Sequence, residues 1–356
     1  MARAIGEAAK SDRWPGKSFV LMLGSLRLLL ALTVALSHAN FRIGSLNPGV
    51  VAVIGFYLIS GYVMAGLIRR HYQQPGKALA FYLDRAIRLL PQYLVYASLT
   101  LVWHRYTESN SYHLGGAPTS GDLINNLLIV PLNYYMWNGS DHYTLIPPAW
   151  SLGAEIQFYL IAPMLLLWPK RLLVIGVLSF LVYLSALGGL INSDWYAYRL
   201  LPGVLFFFLL GAWLQYQPHQ KNSTGGAVTA TVAVIVTTLI LIALQYFNKL
   251  NQPYNAETLL GLMIGISLLH TLANYPRNKL DDLAGDVSYG VFLNHFLILW
   301  TIYPQGIEVA EYPGFLSISL GLAWLTHRYI EQPLLKWRHN LRLVSATQHC
   351  IDVDGR

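Results

Sequence analysis

The sequence predicts an all-α, polytopic transmembrane helical bundle of about ten spans with both termini cytosolic. Two broad observations carry this prediction. Of 356 residues, 54% are hydrophobic and only 12% charged, and apolar runs recur near the twenty-residue length that a bilayer demands. Lysine and arginine gather on alternate connections between those runs, the asymmetry that orients membrane proteins. The runs lack the alternation of barrel strands, and in lipid a helix is the only open-ended way to satisfy every backbone group. Length alone would suggest two soluble domains, but hydropathy overrides that prior.

The expected spans, in order, are Phe19–Ala39, Pro48–Ile68, Leu89–His104, Trp150–Trp168, Leu172–Ile191, Leu200–Tyr216, Ala227–Phe247, Thr258–Tyr275, Val287–Tyr303 and Phe315–Ile330. The third and ninth are short or polar. Ahead of the first lies a basic cytosolic segment, 1–17, and the run that follows is too long for a signal-peptide core, so it reads as an uncleaved anchor. The transmembrane domain runs over 18–333, and 334–356 is a basic cytosolic tail. Leu123–Leu132 is too short to span and reads as re-entrant or interfacial. Asn138-Gly-Ser140 reads as a turn, and Gly203, Gly211, Gly261 and Gly265 as small residues for close helix packing.

One set of connections holds Lys10, Arg13, Lys17, Arg69, Arg70, Lys77, Arg85, Arg88, Lys170, Arg171, Lys221, Arg277, Lys279, Lys336, Arg338 and Arg342; the other holds only Arg42, Arg105, Arg199 and Lys249. The net charge of +7 is thereby explained as a positive-inside signal and needs no nucleic acid. The single cysteine, Cys350, excludes an internal disulfide and a zinc-type cysteine cluster. It is expected to be cytosolic.

Against this apolar background the ionisable residues inside spans stand out, because charge in hydrocarbon is costly and faces a bundle interior or wet cavity. Arg27 and His38 interrupt the first run. Eleven residues are close to three helical turns, so both side chains leave one face, about 16 Å apart along the axis. Each alone reads equally well as a buried structural group; together on one stripe they favour a channel. Glu155 enters the fourth run about a turn and a half from the end that His38 marks. Arg85 and Arg88 share one face at the basic end, either as anion ligands or as retention signals. His295 sits mid-span, and Glu331 reads as a structural partner near Arg328. Aromatic residues between Arg105 and Pro148 suit either a sugar or a membrane interface.

These segments, taken in order, resemble membrane acyltransferase family 3, the integral membrane O-acyltransferases that decorate surface polysaccharides. Arg27 and His38 match its Arg-ten-residues-His motif, and Gly55-Phe-Tyr-Leu-Ile-Ser-Gly61 its Phe-Phe-x-x-Ser-Gly segment. Asp84-Arg85-Ala-Ile-Arg88 with Pro91 matches its basic motif, and Trp150-Ser-Leu-x-x-Glu155 its Trp-Ser-Leu-x-x-Glu. Ser288-Tyr289 with His295, and Ile330-Glu331-Gln332-Pro333, correspond to its last segments. Three positions depart from the pattern: Asp84 for a frequent Arg, Gly153-Ala154 for Ser-Val, and Asn294 for Trp. The sequence shows no counterpart of the extracytoplasmic hydrolase-like domain of longer members.

The resemblance implies a bacterial inner-membrane, multi-pass enzyme. It would move an acyl group, typically acetyl, from cytosolic acetyl-CoA to a hydroxyl of a surface polysaccharide, lipopolysaccharide or lipid-linked sugar, without a metal. It implies His38 as general base, Glu155 orienting its ring or serving as a buried partner of another base, Arg27 guiding the donor or stabilising negative charge, and Arg85 and Arg88 holding the nucleotide phosphates. The same polar stripe also suits a transporter or flippase of a lipid-linked sugar or acyl donor without catalysis. It suits a non-catalytic sensor or assembly partner of the same fold as well. Oligomeric state is left open by the sequence.

Overall fold

The computed structural model describes residues 22–109, 111–217, 224–276 and 278–336. The basic segment 1–17 and the stretch carrying Cys350 lie outside them. Among the described residues the fold is all-α. Its α-helices of nine residues or more are α1 (Leu23–His38), α2 (Pro48–His71), α3 (Ala78–Thr107), α4 (Ser120–Leu128), α5 (Ala149–Leu165), α6 (Pro169–Leu187), α7 (Leu201–Tyr216), α8 (Gly225–Tyr246), α9 (Asn255–Leu272), α10 (Lys279–Ile302) and α11 (Tyr312–Thr326).

The expected ten-span count is corrected by the helices themselves. Among the described residues, four elements are long and apolar enough to cross a membrane: Pro48–His71, Asp194–Tyr216, Gly225–Tyr246 and Asn255–Leu272. Leu23–His38 and Arg171–Leu187 are apolar but shorter. The remainder fail for two physical reasons. Helix α5 has only 17 residues and carries Glu155 and Gln157, and α11, continued by a π-helical turn over His327–Glu331, ends in His327, Arg328 and Glu331. Helices α3 and α10 have the length, but α3 carries Asp84, Arg85, Arg88 and Gln92, and α10 carries Asp281, Asp282, Asp286, Asn294 and His295. The expectation that both termini are cytosolic concerns segments that lie largely outside the described residues.

Packing centres on α2, which lies against α1, α7 and α9, while α1 lies against α10 and α10 against α11. Glycine sets how closely the central pair approaches. A Cβ on Gly61 would collide with the carbonyl of Phe208, and one on Gly211 with the carbonyl of Leu58. Small residues at such crossings let backbones touch where lipid supplies no hydrophobic drive. Gly203, Gly261 and Gly265 meet neighbouring backbone or side chains in the same way.

Local signals fix the helix starts that matter for the site. Asn47 caps α2, its Oδ1 accepting from Gly49 N at 3.0 Å, with Pro48 at the first position. Helix α1 lacks a cap of its own; Asp281 of α10 supplies one, accepting from Ser25 N at 2.7 Å and Gly24 N at 3.2 Å. A carboxylate at a helix N-terminus satisfies orphan amides and complements the dipole. It also pins the turn that carries Arg27. Helix α4 is amphipathic, with Leu123, Ile124, Leu127 and Leu128 exposed and Asp122 and Asn126 buried. Asn138–Ser140 is a turn, with Gly139 at φ +66°.

Candidate active site

A cavity of about 160 Å³ lies between α1, α2, α3, α5 and α10. Its polar lining includes Arg27, Ser60, Arg85, Arg88, Ser151, Glu155 and Tyr159. Two of the sequence segments meet on one oxygen here: Glu155 Oε1 accepts from Ser60 Oγ at 2.6 Å and from Tyr159 OH. Arg85 is paired with Asp84, which is buried. Arg88 is paired with Glu331, whose carboxylate also accepts from Gln92 Nε2 at 3.0 Å and contacts His327 Nδ1 at 3.0 Å. Arg27 is half-buried, and none of the described residues gives its guanidinium a hydrogen bond or ion pair. A desolvated cation without a partner is costly, so Arg27 is poised for an anion in the cavity.

A second chamber of about 80 Å³ holds His38, with Ser37, Asn47, Trp150, Tyr198, Arg199 and Tyr254. Val53 and Ser151 line both spaces, so the two adjoin through a shared wall. Helix α1 runs from one to the other, with Arg27 in the first and His38 in the second. The imidazole of His38 meets that of His295, Nδ1 to Nε2 at 3.1 Å, with the rings within 10° of parallel. Phe296 packs on His38 at 4.8 Å between centroids, and His113 on Phe296 at 5.8 Å. Burial pushes the His113 imidazole below its usual range, against the opposing effect of its bond to the Asp141 backbone.

Arg199 is held rigidly in this chamber. Its guanidinium carbon lies 4.5 Å from the Trp150 ring centre, 4.9 Å from Tyr198 and 5.3 Å from Tyr135, and its Nε donates to Asp194 Oδ1 at 2.7 Å. Stacking on several rings suits the planar, weakly hydrated guanidinium.

A family model described as an acyltransferase domain matches residues 22–328. The chain belongs to this family. An uncharacterized protein of Aquifex aeolicus is 38% identical to this acyltransferase-family chain over 55% of its length and 90% of the relative's. A putative O-acetyltransferase of Staphylococcus aureus is 24% identical over 88% of the chain, and the peptidoglycan O-acetyltransferase of Listeria monocytogenes is 24% identical over 90%. The chain spans 57% and 56% of the length of these last two relatives. No solved structure matches it.

The acyltransferase fold therefore brings Arg27, Arg85, Arg88 and Glu155 around one cavity and places His38 in the next. Glu155 does not meet the His38 ring; Ser60 and Tyr159 hold the carboxylate, and His295 meets the imidazole. Glu331 pairs with Arg88 and not, as expected, with Arg328, which bonds Gln332 at 2.9 Å. Two departures from the family pattern acquire local reasons. Gly153 lets the Ile129 carbonyl approach α5, where a Cβ would stand 3.0 Å away. Asn294 and Ser319 satisfy each other across α10 and α11, Ser319 Oγ donating at 2.6 Å and Asn294 Nδ2 reaching the Ser319 carbonyl at 2.9 Å. Arg199 escaped the sequence reading. The available signal was an arginine in the poorly basic set of connections, beside Trp195-Tyr-Ala-Tyr198.

Proposed function

We propose that this acyltransferase transfers an acetyl group from cytosolic acetyl-CoA to a hydroxyl of a glycan, surface polysaccharide or lipid-linked sugar. The observation that carries the proposal is the pair of adjoining chambers, one lined by three arginines and the other holding His38. Arg27, Arg85 and Arg88 suit the nucleotide phosphates, because guanidinium matches phosphate oxygens bidentately. The rise along α1 from Arg27 to His38, about 16 Å, suits an extended thioester arm that must carry its acyl carbon past Val53 and Ser151. In the second chamber His38 takes the proton of the acceptor hydroxyl as its oxygen attacks the thioester carbonyl. The new C–O bond forms, the C–S bond breaks, and the proton held by His38 passes to the departing thiolate. The names of the relatives, a putative O-acetyltransferase and a peptidoglycan O-acetyltransferase, support transfer of an acetyl group to a glycan oxygen.

Purified protein incubated with acetyl-CoA tests this. An enzyme releases coenzyme A thiol, by transfer or slow hydrolysis, and loses that release with His38→Ala while still binding acetyl-CoA. Losing a general base typically costs about 10²–10⁴-fold in rate. A flippase or sensor consumes no acetyl-CoA, and that result would overturn the proposal.

A further inference from the structure

We infer that His295 is a positioning residue that fixes the tautomer of His38 and so aims its basic nitrogen into the chamber. This rests on the reading of His38 as the base.

The chain of donors and acceptors has one direction. His295 is fully buried on α10, and its Nδ1 lies 3.1 Å from the Val291 carbonyl. A carbonyl only accepts, so that nitrogen carries the hydrogen. A neutral imidazole has one N–H, which leaves His295 Nε2 as an acceptor. The atom facing it at 3.1 Å is His38 Nδ1, which must then donate. His38 Nε2 is left with its lone pair free. The backbone of α10 thus dictates, through two rings, which nitrogen of His38 is basic.

A carboxylate commonly plays this part, but here the partner of His38 is a second, neutral imidazole. The ionisable groups that act on His38 are His295 from α10, His113 from the segment after α3, Arg42 just beyond α1 and Arg199 ahead of α7. Phe296 covers the ring beside them. A neutral acceptor orients the ring without fixing a counter-charge for an imidazolium. The proton that His38 takes is therefore held only transiently, which suits its return to a leaving thiolate.

Selective ¹⁵N-histidine labelling in detergent reads the tautomer directly. Wild-type protein should show His38 as the Nδ1–H form. His295→Leu, which removes the acceptor, should give a mixture of tautomers. His295→Gln, whose amide oxygen reaches the place of Nε2, should restore Nδ1–H. Coenzyme A release from acetyl-CoA should follow the same order: kcat falls about 10²-fold or more in His295→Leu, recovers largely in His295→Gln, and KM for acetyl-CoA is unchanged in both. An Nε2–H form of His38 in wild-type protein would overturn the inference, and needs no variant to fold. So would an unchanged tautomer in His295→Leu. Undiminished turnover in His38→Ala would instead defeat the reading of His38 as base, while the labelling result still judged the geometry.

Discussion

Removing Arg88 should do two separable things. The Arg88 side chain is 22% exposed and that of Glu331 only 2%, so the pair is largely buried. Among the described residues Glu331 Oε1 has no hydrogen-bond partner apart from this ion pair, while Oε2 keeps Gln92 and His327. Arg88→Ala therefore strands half of a buried carboxylate, and breaking such a pair costs about 3–5 kcal/mol. It should also remove a charge-assisted contact to the donor, worth on the order of 1.5–3 kcal/mol, or roughly ten- to hundredfold in affinity. The double variant Arg88→Ala/Glu331→Gln separates the two. Neutralising the orphan should recover most of the stability and none of the donor affinity. Thermal unfolding in detergent reads the first effect, and calorimetric titration with acetyl-CoA the second. Wild-type affinity in the double variant would refute Arg88 as a donor ligand. Unchanged stability in the single variant would refute the buried pair.

Arg27→Ala should weaken acetyl-CoA binding by roughly tenfold or more with little change in stability, since no described residue depends on that guanidinium; calorimetry and unfolding together check this. Glu155→Gln should keep the fold, because one amide oxygen can still accept from Ser60 and Tyr159, and turnover per folded protein measures what the lost charge does. Gly61→Ala should cost about 1–3 kcal/mol or more through overpacking against the Phe208 backbone, and unaltered thermal stability would contradict so close a crossing of α2 and α7. Arg199→Lys keeps the charge but loses the stacked plane; a loss of about 1–2 kcal/mol in thermal unfolding, with slower coenzyme A release, is the expected outcome.

The sequence alone determined the family, and it named most of the charged residues that line the two candidate chambers. Motifs are local strings, and a helical period converts their spacing into a shared face: Arg27 and His38 lie at the two ends of one helix because eleven residues make about three turns. Helical class likewise follows from apolar runs that must satisfy their own backbone. The number of spans did not follow, because hydropathy averages over a window and cannot see where a helix begins, ends or bends. Helices α3 and α10 have the length but carry their polar residues into the bundle interior, and α11 runs on into a π-helical turn that holds His327, Arg328 and Glu331. Partners were the other thing the chain order concealed. Glu155 and His38 looked matched in depth, yet depth is one coordinate of three. Rotation of α5 turned the carboxylate to Ser60 of α2, with Tyr159 one turn along the same helix, while α10, distant in sequence, brought His295 to His38. Arg88 met Glu331 and Arg199 met its aromatic box in the same way. Such pairings are decided by helix packing, whose angles depend on side chains from several elements at once.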